Sequence, residues 1–496
     1  MKTKAYDSKR AGGFRFIKTL NYFLALSLLW WYTTAILKSS VNADAGYYLS
    51  SAEKIHEGMM PFRDLALHYS PLPIFLWSLI WDLIPNVSYG CLLSVVLLFE
   101  LTSLCLLFGS LRTLGVEGTT SVFASLVAGH AILLHDGTYI VLEPFVIFFS
   151  LLALFLYLKW RERLEVSWLF AAGLACGFSF LSKQYGVSVL FALATDLILT
   201  KWINVQKLKQ VLILMFGGAV PVVSCLLLLW LFEGIKPLEI FTQLSGGRYP
   251  IHVTSHYEVL FFALLACPFL VLLPLYMRKG KRILGPFLSM LFWYSLPLMV
   301  NQYSHYFILL VPFAIGVGAA MIHVISQDDT ESRWWRVSLV FVSFWMLVFT
   351  SIQNLWTLID SQKRVEQYSA ASQMTGLVSS NESAWLLANQ AYNYLARLKA
   401  PFPAELGYSF PVVYSLNESL KALRCSRFII LDRNADTFVL MEERFRRAEL
   451  SLLGEVQRNA ELIGRISGGI EVWRVFEPNS TGTCGRAAKT VGKEDR

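Results

Sequence analysis

The run Asp44-Ala45-Gly46-Tyr47-Tyr48, with Ala52, Gly58, Pro61-Phe62 and Asp64 behind it, sets carboxylates just past the first long apolar segment of the chain. A carboxylate so placed can take the proton of an attacking nucleophile, or it can cap a helix by accepting from free backbone N–H groups. Asp44 suits either role. Tyr48, Ala52, Ile55 and Met59 recur at i, i+4, i+7 and i+11, which predicts a surface helix with Asp44 at its start. A second acidic cluster, His135-Asp136-Gly137 followed by Glu143-Pro144, also reads as an acidic cap ahead of an ordinary Pro-led helix start. Lys183, in Ser182-Lys183-Gln184-Tyr185-Gly186, interrupts the apolar stretch from Trp168 to Leu199. An amine deep in lipid costs a few kcal/mol, so Lys183 belongs at the turn of a hairpin, either snorkelling or meeting an anion. Arg248, after Gly246-Gly247, is a further anion candidate. In Asn301-Gln302-Tyr303-Ser304-His305-Tyr306, His305 can donate to an anion or, with Tyr306, anchor an interface.

The elements that must position these groups are membrane helices. Of 496 residues, 55% are hydrophobic and 16% charged, mean hydropathy is +0.50, and apolar runs of bilayer-spanning length recur. The net charge of +8 is accounted for by Lys and Arg on cytoplasmic loops rather than by a nucleic-acid partner. Lys2, Lys4, Lys9, Arg10, Arg15 and Lys18 place the N-terminus in the cytoplasm. The basic connections at 159–163, 201–209, 278–282 and 333–336 should share that side. Parity then decides the apolar stretch from Pro71 to Pro85. A crossing there would make the count to Lys159 odd, so it is expected to lie in the outer interface. Spans are expected near 19–37, 89–111, 118–134, 140–158, 167–182, 186–200, 210–232, 257–277, 283–300, 305–325 and 335–353, which puts the C-terminus outside. His56, His68, His135, His252, His256 and His305 then fall in outer loops, with His130 close by. Asp44, Asp64, Asp136, Glu143, Lys183 and Arg248 join them.

Beyond about residue 354 the apolar runs shorten to strand length, as in Ala384–Ala388 and Phe428–Leu431, and two more strands are expected near 460–466 and 470–475. The fold class expected is a polytopic α-helical membrane protein of about 11 transmembrane helices, residues 1–353, with a small extracytoplasmic α/β domain over 354–478. A polar, disordered tail is expected over 479–496. Cys91, Cys105, Cys176, Cys225 and Cys267 lie in apolar spans as packing residues, while Cys425 and Cys484 could pair in an oxidising compartment.

The pattern Asp-x-Gly-Tyr-Tyr, then Ala, then Gly-x-x-Pro-aromatic-x-Asp resembles the first loop of the bacterial GT-C glycosyltransferases, relatives of the protein O-mannosyltransferases and lipid A aminoarabinose transferases. The resemblance extends over roughly residues 15–350. It implies a multi-pass protein of the bacterial inner or plasma membrane, in contact with membrane lipids. Such an enzyme moves a sugar from a polyprenyl-phosphate donor to a glycan, lipid or protein acceptor on the outer face. It assigns the base to Asp44, with Asp64 as a second acidic position and Tyr47 and Tyr48 beside them. Glu143, or else Asp136, becomes the second-loop acid, and Lys183, His305 and Arg248 become candidates for the donor phosphate. Ala45 stands where many members have a second acidic residue, so a divalent metal is permitted and not required. Two rivals are a transporter or lipid-linked sugar flippase, which calls for ionisable groups at the membrane midplane, and a non-catalytic scaffold whose outer domain binds a partner.

Overall fold

The computed structural model describes residues 2–65, 67, 69–84, 87–134, 139–199, 205–246, 285–300, 304–326, 348, 352, 362–379, 382, 384–387, 391–397, 426–432, 454, 456–466 and 469–476. The expected spans at 257–277 and, but for two residues, 335–353 lie outside them, as do Cys267, Cys425 and Cys484. The chain divides into two compact units. The first comprises 1–37, 93–227 and 252–357, and the second 38–92, 228–251 and 358–496.

The first unit is built from long apolar helices: α1 (Lys2–Lys38), α4 (Tyr89–Thr113), α5 (Gly118–Leu134), α6 (Glu143–Arg163), α7 (Val166–Ser182), α8 (Val187–Leu199), α9 (Val205–Glu233), α11 (Gly285–Val300) and α12 (Val311–Ser326). Among the described residues, four segments (Ile17–Lys38, Tyr89–Thr113, Glu143–Arg163 and Val205–Glu233) are long and apolar enough to cross a membrane alone, and α5, α7 and α8 are shorter apolar helices. The chain is a multi-pass membrane protein. α6 stops at Leu164, whose left-handed φ of 61° turns the chain back so that α7 packs along it. α7 and α9 meet through glycines: a methyl on Gly173 would strike the Leu214 carbonyl, and one on Gly177 the Gly218 carbonyl. Close approach of this kind is how helices associate where lipid removes the hydrophobic drive. Polar ties fix the other crossings. Tyr157 donates to Asp196 at 2.7 Å, with Arg161 3.3 Å from the same oxygen, and Trp293 donates to Thr195 at 2.9 Å.

His130 lies in α5, inside the expected span 118–134, fully buried and tied through Nε2 to the Leu24 carbonyl on α1 at 3.0 Å. The cysteines correct an expectation: Cys176 is buried, whereas Cys91 and Cys225 are half-buried and Cys105 is exposed, so apolar surroundings did not imply packing for all of them.

The second unit holds α2 (Ala43–His56), α3 (Leu72–Leu83), α10 (Pro237–Gly246), a helix over 362–377 (α13), β1 (Ala384–Leu387), α14 (Ala391–Ala396), β2 (Phe428–Asp432), β3 (Ala460–Ile466) and β4 (Ile470–Val475). α3 covers the stretch whose crossing parity excludes. It is 12 residues long, burying Ile74, Trp77 and Trp81 and exposing Leu79 and Leu83. The strands form one sheet in the order β1-β2-β4-β3, with β1 and β2 parallel and the other pairs antiparallel. Ala370, Ala371 and Met374 of α13 pack against Leu386, Phe428, Ile430 and Val472 of the sheet.

Candidate functional site

In the first unit the chemistry gathers at the α7–α8 turn. α7 ends at Ser182 because Lys183 leaves the helix with extended backbone, φ −163°, and the short helix Gln184–Gly186 restarts the chain toward α8. Gly186 is required there, since a methyl would overlap the Ser179 carbonyl. The Lys183 side chain turns inward. Its Nζ lies 2.5 Å from Glu143 Oε1, and the two side chains are 2% and 1% exposed. The Tyr306 ring sits under the ammonium, 4.3 Å from Nζ to the ring centroid, and Tyr185 meets Tyr306 edge-on. A cation over a desolvated aromatic face gains roughly 2 kcal/mol. Beneath the turn, Ser150 links the Tyr294 hydroxyl and Ser179 at 2.5 and 3.0 Å, bracing α6, α7 and α11 against one another.

Two expectations change here. Glu143 is not a helix cap: it is the first residue of α6, the cap position is Leu142 without a side-chain bond, and the carboxylate is taken up by Lys183. Nor does Lys183 snorkel; it occupies the predicted hairpin turn but is buried and paired. His305 lies on the short helix Ser304–Leu309 that also carries Tyr306. Asp136 and Arg248 lie outside the described residues, as do His68, His135, His252 and His256.

In the second unit, α2 begins at Ala43, and the cap is Asn42, whose side chain accepts from the Ala45 N–H at 2.7 Å. Asp44 is therefore in the first turn and not the capping residue, because Asn42 already fills that role. Negative charge is favoured at that helix end. The half-buried Asp44 precedes Tyr47 and Tyr48, which are core residues rather than an open surface. Their rings pack on Tyr69, and Tyr48 stacks on Trp77 at 6.1 Å. Met59, expected on the same helical stripe, lies past the helix end at His56.

Asp64 is committed to its own loop. It accepts from the Met60 N–H at 2.9 Å and from Arg63 at 2.8 Å, and Arg63 also bonds Glu233. The Arg63 guanidinium holds the Asp64 carboxyl below the usual carboxylate range, which weakens it as a base. Gln243 braces the same loop, donating to the Phe62 carbonyl at 2.8 Å. Of the two first-loop acids, Asp64 is the one tied to an arginine. Among the described residues no three His, Cys, Asp or Glu side chains group as metal ligands.

Sequence reasoning missed how directly Tyr306 serves Lys183, since a ring 123 positions away carries no local signal. It also missed Gln367, whose side-chain amide exchanges two hydrogen bonds with the Val41 backbone, at 3.2 and 3.0 Å.

Residues 73–279 match the dolichyl-phosphate-mannose-protein mannosyltransferase family, a stretch that contains Glu143 and Lys183 and begins after Asp44. Among solved structures the chain resembles apo ArnT from Cupriavidus metallidurans, with a TM-score of 0.62 and 12% identity over 91% of this chain and 97% of that one. It also resembles the archaeal oligosaccharyltransferase AglB from Archaeoglobus fulgidus, in complex with an inhibitory peptide and a dolichol-phosphate. There the TM-score is 0.52 and the identity 12%, over 90% of this chain and 74% of AglB. At that identity the likeness carries the fold. No curated protein matches the sequence.

Proposed function

We propose that this chain, a membrane glycosyltransferase of the GT-C superfamily, moves a sugar from a polyprenyl-phosphate donor to an acceptor on the extracytoplasmic face of a bacterial inner or plasma membrane. The observation that carries the reading is the buried Lys183–Glu143 pair over Tyr306, inside the stretch matched to the mannosyltransferase family. A cation held in a low-dielectric setting attracts an anion more strongly than it would in water, less the repulsion from its Glu143 partner. That suits a donor whose leaving group departs as a phosphate. AglB, solved with a dolichol-phosphate, supports the same donor class.

In this reading Lys183 meets the donor phosphate with Glu143 orienting it, and His305 and Arg248 are further phosphate donors. Asp44 takes the proton from the acceptor nucleophile as it attacks the anomeric carbon. The bond to the phosphate oxygen breaks on the opposite face, so the anomeric configuration inverts. Because the phosphate leaves as a stable anion, no general acid is needed, unlike in ordinary glycoside hydrolysis. The test is transfer of radiolabel from undecaprenyl-phosphate mannose, glucose or arabinose into a native membrane extract, by wild type and Asp44→Asn reconstituted in lipid. Transfer by wild type and its loss in a folded Asp44→Asn protein is the expected result; full transfer by the variant removes Asp44 as the base.

One observation favours a second reading. Glu100, buried near the middle of α4 with Tyr32 of α1 as its polar neighbour, is an ionisable group at the depth a transporter or flippase would use.

A further inference from the structure

The segment that leads into α2 is held by a residue more than three hundred positions away. Ser39, Ser40 and Val41 are buried as the chain passes from α1 to α2. There the Val41 N–H donates to Gln367 Oε1 at 3.2 Å, and Gln367 Nε2 donates to the Val41 carbonyl at 3.0 Å. A side-chain amide that both donates to and accepts from one backbone unit fixes its position and its orientation together. The next residue is Asn42, which caps α2 through its side chain and accepts the Gly46 N–H at 2.9 Å through its carbonyl. Two residues on is Asp44.

The other end of the clamp is rigid too. Gln367, Ala370, Ala371 and Met374 recur at i, i+3, i+4 and i+7, so they form one stripe of α13. The last three of them belong to the apolar core against the sheet. Further along α2 the same part of the chain makes a second hold, where Arg397, just past α14, lies 3.6 Å from Glu53. The same neighbourhood brings Tyr394 of α14 against Trp81 and Tyr89.

We infer that Gln367 is a positioning residue for sugar transfer: through Val41 and the Asn42 cap, the sheet-bearing C-terminal segment sets where the Asp44 carboxylate stands. This rests on the reading of Asp44 as the base. It gives the C-terminal segment a part in the chemistry itself, apart from any part in holding acceptor.

The full-length chain in lipid, assayed with the labelled undecaprenyl-phosphate sugars above, tests it through Gln367→Met and Gln367→Glu, with Asp44→Asn beside them. Met keeps the length of the side chain and loses both hydrogen bonds. Misplacing a catalytic group by about 1 Å costs up to roughly 100-fold, so kcat is expected to fall about 10- to 100-fold with the donor KM within about twofold. Gln367→Glu carries the discriminating readout. A neutral carboxylic acid can both donate to and accept from Val41, as the amide does, whereas the carboxylate cannot donate. With an ordinary glutamate value near 4.3, its neutral fraction rises steeply between pH 7 and pH 5. The activity of Gln367→Glu relative to wild type should therefore recover severalfold over that range.

A Gln367→Met kcat within twofold of wild type, with Asp44→Asn inactive, overturns this inference and leaves the base reading standing. A flat Gln367→Glu to wild-type ratio across pH overturns it as well, and so does a recovery of activity that only tracks a recovery of the variant's denaturation midpoint, since loosening of the fold would follow the same proton. Wild-type turnover in Asp44→Asn removes the base reading and this inference together.

Discussion

Substituting Lys183→Met strands a carboxylate. Glu143 is 1% exposed and bonded at 2.5 Å to the amine being removed. Breaking a buried pair by removing one partner costs about 3–5 kcal/mol, because the remaining charge is left uncompensated. The carboxyl can relieve that cost by taking a proton from solvent. From an ordinary value near 4.3, that costs about 3.7 kcal/mol at pH 7 and about 1 kcal/mol at pH 5, at 1.36 kcal/mol per unit. The loss is therefore expected to be about 3–4 kcal/mol at pH 7, shrinking by roughly 1.4 kcal/mol for each unit the pH is lowered. The double variant Glu143→Gln/Lys183→Met removes both charges and should regain most of that stability. The assay is reversible unfolding of the reconstituted protein in mixed micelles, followed by tryptophan fluorescence at pH 5, 6 and 7, with sugar transfer measured alongside. Stability should return in the double variant while transfer stays absent, since the phosphate has lost its cation. A single variant within about 1 kcal/mol of wild type at pH 7, or a double variant no more stable than the single, refutes the buried-charge argument. Wild-type transfer by the double variant takes Lys183 out of the chemistry.

Lys54 gives a pH prediction in the second unit. Burial pushes its amine down to about 7, so between pH 7 and the unfolded value near 10.5 the folded state binds fewer protons and stability rises with pH. Lys54→Met should flatten that rise and stabilise the protein most at or below pH 7, as read from denaturation midpoints at pH 6.5 and 9.5; an unchanged slope counts against it. Gly177→Ala drives a methyl into the Gly218 carbonyl and Pro221, and should cost about 1–3 kcal/mol in the same unfolding assay; a neutral result means that α7 and α9 part at no expense. Glu100→Gln keeps the shape of a buried side chain and removes its ionisation, so folding should be unharmed and transfer unchanged. Loss of transfer in the folded variant would make the ionisation of Glu100 part of the transfer reaction.

Much of the helical plan was legible because long apolar runs bounded by basic or turn residues mark where helices begin and end. The expected spans at 89–111, 118–134, 167–182 and 283–300 fall within a residue or two of α4, α5, α7 and α11. The strands at 460–466 and 470–475 were equally legible, being short apolar alternations around the turn at Gly469. Roles within the site were harder to read. Asp44 looked like a cap because sequence cannot tell which of Asn42 and Asp44, two residues apart, turns its oxygen onto the helix end. Glu143 looked like a cap because nothing local announces a lysine forty positions away. Glu100 drew no notice in its apolar run, since one acidic residue hardly alters the hydropathy of a span. Gln367 was invisible for a plainer reason: an amide bonding a distant backbone leaves no pattern in the chain.

The two acidic sites answer different physical demands, and that difference is what makes a lipid-phosphate donor the better reading. A base that deprotonates an acceptor must be reachable and must stay ionised. Asp44 is half-buried in the first turn of α2, whose start the Asn42 cap fixes. A cation that holds a phosphate gains most when water is excluded, yet it cannot remain buried and uncompensated between turnovers. Lys183 meets both conditions, with Glu143 as its standing counter-charge and the Tyr306 face beneath it. In the proposed cycle the donor phosphate therefore arrives at a cation already desolvated and already oriented, and the cost of burying that charge was met when the protein folded. A transporter would need the reverse, an ionisable group whose charge changes as it is carried between states. Glu100 has the burial for that but only a phenol beside it, and no cation among the described residues is placed to answer its charge.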